Sequence, residues 1–248
     1  MIDPEIAKNA ADFRSGLGAS LAANISAVLS KDASKIDECY ARLTCLQAIR
    51  VYLLNNAASP GAIGFFNEAQ SDGLTGLVLI MSGSSRSAHK SLRSLIENVI
   101  RVVYYADHPI EYRLWEVGKH RPTFRSLFEY IENHPDLVDV KSSLFLPSSL
   151  HSSWKKLSEF VHASAMGERM NENIDKIVIW KTSRKSIGQW AIFQRNVIKD
   201  ICLLFMILNH KNVQGASLKS LRESLAISIP SNLDAKILST FNVRLPRP

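Results

Sequence analysis

Apolar residues recur at three- and four-residue steps along most of this chain, which is the spacing that places them on one face of an α-helix. The clearest example is residues 91–106, where one face carries Leu92, Leu95, Ile96, Val99 and Val103. Similar stripes predict helices over residues 33–55, 62–81, 111–119, 124–133, 150–163, 183–210, 218–225 and 233–241. Alternating β-branched runs are scarce, so the pattern predicts an all-α helical bundle of roughly eight to ten helices with extra short C-terminal helices.

Small and polar residues separate these helices. Asp3 is placed to cap a first helix, and the small residues around Gly16 and Gly18 would allow another helix to approach it closely. A break is expected near Pro60, residues 82–85 are expected to form either a short break or a kink, and residues 136–149 are expected to be irregular. Residues 177–180 fit a strand or a helix equally well. We predict one helical domain over residues 1–248; any subdivision would separate a bundle over 1–163 from a long core helix with terminal helices over 183–248.

The composition predicts a packed domain. Hydrophobic residues make up 46% of the chain, enough for a sizeable core, and the net charge is +7. A moderately basic balance is compatible with a polyanionic partner and does not bear on the fold. The most apolar stretch, residues 192–208, is interrupted by polar and charged side chains, which argues against a membrane span.

The cysteines and the N-terminus predict a cytoplasmic protein. Cys39, Cys45 and Cys202 lie inside apolar helical patterns and have no metal-binding spacing, so we expect buried, reduced thiols. No basic region followed by an apolar stretch begins the chain, so no secretory signal is expected. Phosphate-binding loops, zinc-protease helices, calcium loops and nucleophile elbows have no counterpart here, and no cofactor or metal site is predicted.

Arg101 and His108 are the strongest candidates for chemistry. Seven helical residues rotate through about 700°, which brings His108 back to within roughly 20° of the direction of Arg101. Arginine binds phosphate in a bidentate manner, and histidine transfers protons near neutral pH. The pair therefore suits metal-free RNA cleavage, in which the ribose 2′-hydroxyl attacks the adjacent phosphate.

The same stretch also has a structural interpretation. Pro109 disfavours helical geometry at His108, so two helices are expected to meet there. Glu97 stands four residues before Arg101, which is the favourable order for an ion pair on a helix. A salt-bridged helix flank followed by a capping corner would explain these residues without catalysis.

Two further groups are weaker candidates. Ser158 precedes His162 by one helical turn, but no orienting acid other than Glu159 is evident, and a structural histidine is the more ordinary interpretation. Basic residues occur near two tryptophans, Trp180 and Trp190, and comprise Lys181, Arg184, Lys185, Arg195 and Lys199. They could follow a phosphate backbone. Because Trp190 belongs to an apolar stripe, a solvated flank on a core helix is the favoured interpretation.

The spacing of Arg101, six residues and His108 resembles the Arg-x(4–6)-His signature of the HEPN superfamily of helical proteins. Arg93 and Glu97, with Leu157-Ser158 and His162, also resemble an uncharacterised bacterial helical family that carries Arg-x-x-x-Glu and a later Leu-Ser-x-x-x-His. The resemblance covers about residues 61–163. Two departures are Val102, where a polar residue is usual, and Pro109 directly after the histidine.

The HEPN resemblance implies a homodimer whose active site combines Arg101 and His108 of both subunits. Arg101 would hold the scissile phosphate, and His108 would transfer the proton or orient the 2′-hydroxyl, with Arg93, Glu97 and Tyr104 in support. The leading hypothesis is a bacterial effector that cleaves RNA without a metal, as a toxin or in phage defence. The alternative is a non-catalytic interaction protein. The expected partners are RNA, a second copy of the chain or a different protein. A membrane is not expected as a partner.

Overall fold

The computed structural model describes residues 3–54, 60–162, 182–214 and 218–247, and these residues form helices without strands. The helices are α1 (Pro4–Lys31), α2 (Ala33–Ile49), α3 (Pro60–Ser82), α4 (Ser85–Asp107), α5 (Pro109–Glu116), α6 (Phe124–Glu132), α7 (Pro135–Val138), α8 (Ser148–His162), α9 (Arg184–Leu208), α10 (His210–Val213), α11 (Lys219–Ser228) and α12 (Asp234–Phe241). A short π-helix, Arg50–Leu54, extends α2. The prediction of an all-α bundle is confirmed.

Local capping sets several helix ends. The Asp3 carboxylate accepts a hydrogen bond from the Glu5 amide at 2.8 Å, as the sequence predicts. Thr123 caps α6 in the same way, through the Ser126 amide. The break over residues 82–85 is a tight turn in which Gly83 has φ of 97°, so α3 and α4 form an antiparallel hairpin. Helix α4 therefore begins at Ser85, one and a half turns before the predicted start.

Helix α9 lies at the centre of the bundle. It packs against α2, α3, α4, α8 and α11, and every residue from Cys202 to Ile207 is buried. This confirms the central position that its apolar last turns predict. Trp190 is also buried, and its indole N–H donates to the Ala88 carbonyl at 3.2 Å. Gly76 of α3 allows this approach, because a Cβ there would lie 3.2 Å from the indole ring.

Some apolar residues within the striped segments lie outside the core. Tyr40 of α2 and Leu74 of α3 are 55% and 47% exposed. The π-helix rotates the end of the α2 stripe, which leaves Val51 partly exposed. The exposed positions lie at the edges of stripes that are wider than the surface available for packing.

Helix α1 extends beyond the bundle. Val28 is its one buried residue, whereas Ile6 and Phe13 are 61% and 54% exposed. No described atom lies within 4 Å of a Cβ built at Gly16 or Gly18. The close helix contact that these glycines predict is therefore not made within the described chain.

The cysteines are free and buried, as predicted. Burial raises the pKa of Cys39, while the neighbouring Arg42 opposes that rise. Within the described ranges, no helix combines the length and the apolar character that a membrane crossing would need.

His89 is the most enclosed histidine of the described chain and predicts a pH-dependent stability. It is 0% exposed, its ring stacks on Phe160 at 4.1 Å, and its Nδ1–H donates to the Ser85 carbonyl. Nε2 is buried without a partner among the described residues, so burial lowers the pKa of His89. A proton added there would have no acceptor.

We expect His89 to reduce stability as the pH falls. Below about pH 6.5 the unfolded chain protonates this histidine and the folded chain does not, so the free energy of unfolding falls by up to about 1.4 kcal/mol per pH unit until the lowered folded pKa is reached. Above about pH 6.5 the contribution is constant. The measurement is the difference between wild type and His89→Phe in urea unfolding across this range, and parallel curves would contradict the expectation.

Candidate functional site

Arg101 lies on the polar flank of α4 and is held by neutral groups. Its Nη1 donates to the Asn98 amide oxygen at 3.0 Å. The guanidinium carbon lies 4.8 Å from the centre of the Phe124 ring and 5.6 Å from that of Phe65. Within the described residues it forms no ion pair, and its burial lowers the pKa of Arg101. A half-buried cation held between aromatic rings without a carboxylate favours the approach of an anion.

Glu97 forms no salt bridge with Arg101, contrary to the helical-spacing expectation, although its charge opposes the lowering of the Arg101 pKa. Its Oε1 accepts from Arg93 Nε at 2.9 Å and from Trp154 Nε1 at 2.8 Å. The Arg93 guanidinium also lies over the Trp154 ring, 4.7 Å from its centre. Because α8 provides Trp154, this cluster joins α4 to α8. Arg93 and Glu97 pair with each other and with Trp154, and their predicted support of the site stays a prediction.

Asn98 connects Arg101 to α3. Its amide nitrogen donates to Asp72 Oδ2 at 2.9 Å, and its amide oxygen faces Arg101. Burial raises the pKa of Asp72, while hydrogen bonds from Ser94 and Asn98 oppose that rise. Asn98 thus uses both ends of one amide, which fixes the position of the guanidinium.

His108 lies at the corner between α4 and α5, where the Pro109 pattern places it. Its Nδ1 is 2.8 Å from the Tyr104 carbonyl oxygen, and its ring stacks on Tyr104 at 4.2 Å. A carbonyl can only accept, so Nδ1 carries a proton and donates it to the carbonyl, and Nε2 is the nitrogen that bears the lone pair in the corresponding tautomer. No described residue forms a hydrogen bond with Nε2. This tautomer is the one that a general base requires.

A second layer of polar groups holds the His108 ring. Tyr130 contacts it edge-on at 4.8 Å, and the Tyr130 hydroxyl donates to Asp107 Oδ2 at 2.6 Å. His134 Nε2 donates to the same oxygen at 3.1 Å, and its Nδ1 accepts from the Asp136 amide. Burial, followed by the Asp107 contact, raises the pKa of Tyr130. Asp107 therefore joins α4 to α6 and α7 around the candidate base.

Arg101 and His108 have separate supports. Arg101 contacts Phe65 and Phe124, whereas His108 contacts Tyr104 and Tyr130. The two groups are linked by Tyr104 and Tyr105, which are adjacent on α4 and pack edge to face at 5.2 Å. Tyr104 stacks on the imidazole, and its predicted support of catalysis stays a prediction.

The weaker candidate residues lie on α8 and around the start of α9. The Ser158 hydroxyl donates to the Trp154 carbonyl one turn earlier, at 2.8 Å. His162 is the last residue of α8, and its side chain lies outside the described residues, as does Lys181. Arg184 pairs with Asp32 at 3.4 Å, while Lys185 and Arg195 are exposed. Trp190 points into the core, so it does not offer a stacking surface beside them.

Sequence reasoning missed the residues that come from other helices. Asp72, Phe124 and Tyr130 reach the site from α3 and α6, and helical periodicity on α4 carries no signal for them. Asn98 could have been found, because it follows Glu97 and precedes Arg101 by three residues.

The site has the groups for acid–base and phosphate chemistry. It contains a histidine whose Nε2 has no partner in the described chain and an arginine that forms no salt bridge there. In the part of the chain that the structure covers, no three histidine, cysteine or acidic side chains are arranged to hold a metal ion. Comparison with protein-family models, curated proteins and solved structures gives no match to this chain.

Proposed function

We propose that the chain is a HEPN-like effector that cleaves RNA without a metal, using Arg101 and His108. The observation that carries this proposal is the half-buried Arg101 guanidinium, which is held by Asn98 and two phenylalanine rings and has no carboxylate partner in the described chain. Such a group binds a phosphodiester through charge-assisted hydrogen bonds. The basic balance of the chain favours the same class of ligand.

The reaction requires one proton transfer at the ribose. His108 Nε2 takes the proton of the 2′-hydroxyl, whose oxygen attacks the adjacent phosphorus. The bond from phosphorus to the 5′-oxygen breaks, and water supplies the proton to that oxygen. His108 returns its proton to the resulting hydroxide, which leaves a 2′,3′-cyclic phosphate and the free base. Arg101 stabilises the negative charge on the non-bridging oxygens during this step.

Arg101→Gln tests the proposal. We expect the rate of RNA degradation in EDTA to fall by roughly 10- to 100-fold, because glutamine cannot make a charge-assisted contact to phosphate. The matched control is Arg125→Gln, since Arg125 lies next to Phe124 in sequence, is highly exposed and pairs with Glu129. The proposal fails if both variants degrade RNA at the wild-type rate, or if the wild-type protein has no activity.

A second candidate function is that of a non-catalytic interaction protein. The favouring observation is the apolar stripe of α5 beside the site, where Ile110 and Val117 are 61% and 66% exposed and Leu114 is 39% exposed. Exposed apolar stripes of this kind mark contact surfaces. Association in light scattering that Val117→Ser abolishes, together with intact RNA, would favour this function over cleavage.

A further inference from the structure

Tyr105 has a buried ring and an unused hydroxyl. The residue is 1% exposed, yet its hydroxyl forms no hydrogen bond to any described residue. A buried tyrosine normally finds a partner for this group. Burial raises the pKa of Tyr105, and the positive charges of Arg101 and Arg121 oppose that rise, so both guanidinium groups act on this hydroxyl.

Arg121 reaches Tyr105 from the loop between α5 and α6. Its Nη1 donates to the Trp115 carbonyl at 2.7 Å, and its guanidinium carbon lies 5.3 Å from the centre of the Trp115 ring. Trp115 in turn packs against Phe65 at 4.8 Å, and Phe65 also contacts Arg101. Two arginines from different elements therefore border one aromatic cluster.

His120 adds a second unsatisfied group in the same loop. Its ring lies 6.5 Å from that of Tyr105, and its Nε2 is buried without a partner in the described ranges. Gly118, with φ of 77°, turns the loop so that Lys119, His120 and Arg121 follow as a basic run. A buried unsatisfied nitrogen and a hydroxyl without a partner, beside two arginines that form no salt bridge in the described chain, are features of an anion site.

We propose that the Tyr105 hydroxyl, with the guanidinium groups of Arg101 and Arg121, binds a phosphate group of an RNA strand. His120 Nε2 supplies a further hydrogen bond to that phosphate. Arg101 thus belongs to both the cleavage step and this phosphate site, whereas Tyr105, His120 and Arg121 belong to the phosphate site. The identification of the ligand as RNA rests on the proposed function.

The test uses a short single-stranded RNA with 2′-O-methyl riboses, which cannot supply the attacking hydroxyl and so remains intact. In fluorescence anisotropy we expect Arg121→Gln to weaken binding about tenfold and to reduce the salt slope by about one. Tyr105→Phe should weaken binding about fivefold without lowering the melting temperature, because its hydroxyl has no partner to lose. Inorganic phosphate should compete with the strand for the wild-type protein, because the proposed site recognises the phosphate group itself.

Matched variants decide the outcome. Arg125→Gln removes the same charge four residues further along the chain, and Tyr112→Phe removes a hydroxyl that already bonds to Glu116. The site is overturned if Arg121→Gln and Arg125→Gln have equal effects, or if Tyr105→Phe has no effect on binding. It is also overturned if inorganic phosphate does not compete with the strand, or if the wild-type protein does not bind the strand. Because the probe cannot be cleaved, binding without cleavage of ordinary RNA would reject the proposed function and retain the site.

Discussion

Trp190→Ala is expected to lower the free energy of unfolding by about 3–5 kcal/mol. Trp190 is 1% exposed, and its ring fills the space that Gly76 leaves between α3 and α9. Its indole N–H also donates to the Ala88 carbonyl, so the substitution removes a hydrogen bond and leaves a cavity. Since small domains are stable by about 5–15 kcal/mol, this loss is a large fraction of the total. Urea unfolding followed by circular dichroism measures it.

Ile192→Ala provides the matched comparison for Trp190. Ile192 lies on the same helix but is 55% exposed, so the expected change is within about 0.5 kcal/mol. Similar losses in the two variants would show that the centre of the bundle has been wrongly placed.

His108→Ala is expected to lower the rate of RNA cleavage in EDTA by about 10²–10⁴-fold. The hydrogen bond from Nδ1 to the Tyr104 carbonyl fixes the tautomer, and Tyr104 and Tyr130 fix the ring plane. The open Nε2 is therefore ready to accept a proton, and alanine removes that acceptor. Initial rates on a fluorescent RNA strand measure the effect.

His210→Ala separates catalysis from helix capping. His210 also has its Nδ1 2.8 Å from a backbone carbonyl oxygen at a helix end, that of Ile207, but it lies on α10 and packs against Phe241. We expect this variant to cleave RNA at the wild-type rate. A comparable loss in both histidine variants would indicate that capping, and not proton transfer, explains the result at His108.

The sequence was sufficient for the features that depend on local physics. Periodicity predicts the helices because each needs one apolar face, and the stripe of α9 correctly predicts a buried Trp190. The corner at His108 follows from Pro109, which begins α5. The end of α2 was harder to predict from the sequence, because a π-helix there changes the spacing at which apolar residues return to the same face.

The sequence was not sufficient for contacts between helices. At helical spacing, Glu97 has equal access to Arg93 and Arg101, and Trp154 of α8 completes the pair with Arg93. Phe124 and Asp72 also come from distant positions. Which side chain meets which is set by the tertiary packing of amphipathic faces, and periodicity within one helix cannot specify it.

The central claim is that this chain uses a ribose 2′-hydroxyl as the nucleophile. A DNA strand that contains a single ribonucleotide tests it most directly, in EDTA, by analysis of the product ends. We predict one cut on the 3′ side of that ribonucleotide, with a 2′,3′-cyclic phosphate, and no cut in the His108→Ala variant. An intact strand, cuts at deoxynucleotides, or the same cut by His108→Ala would contradict it.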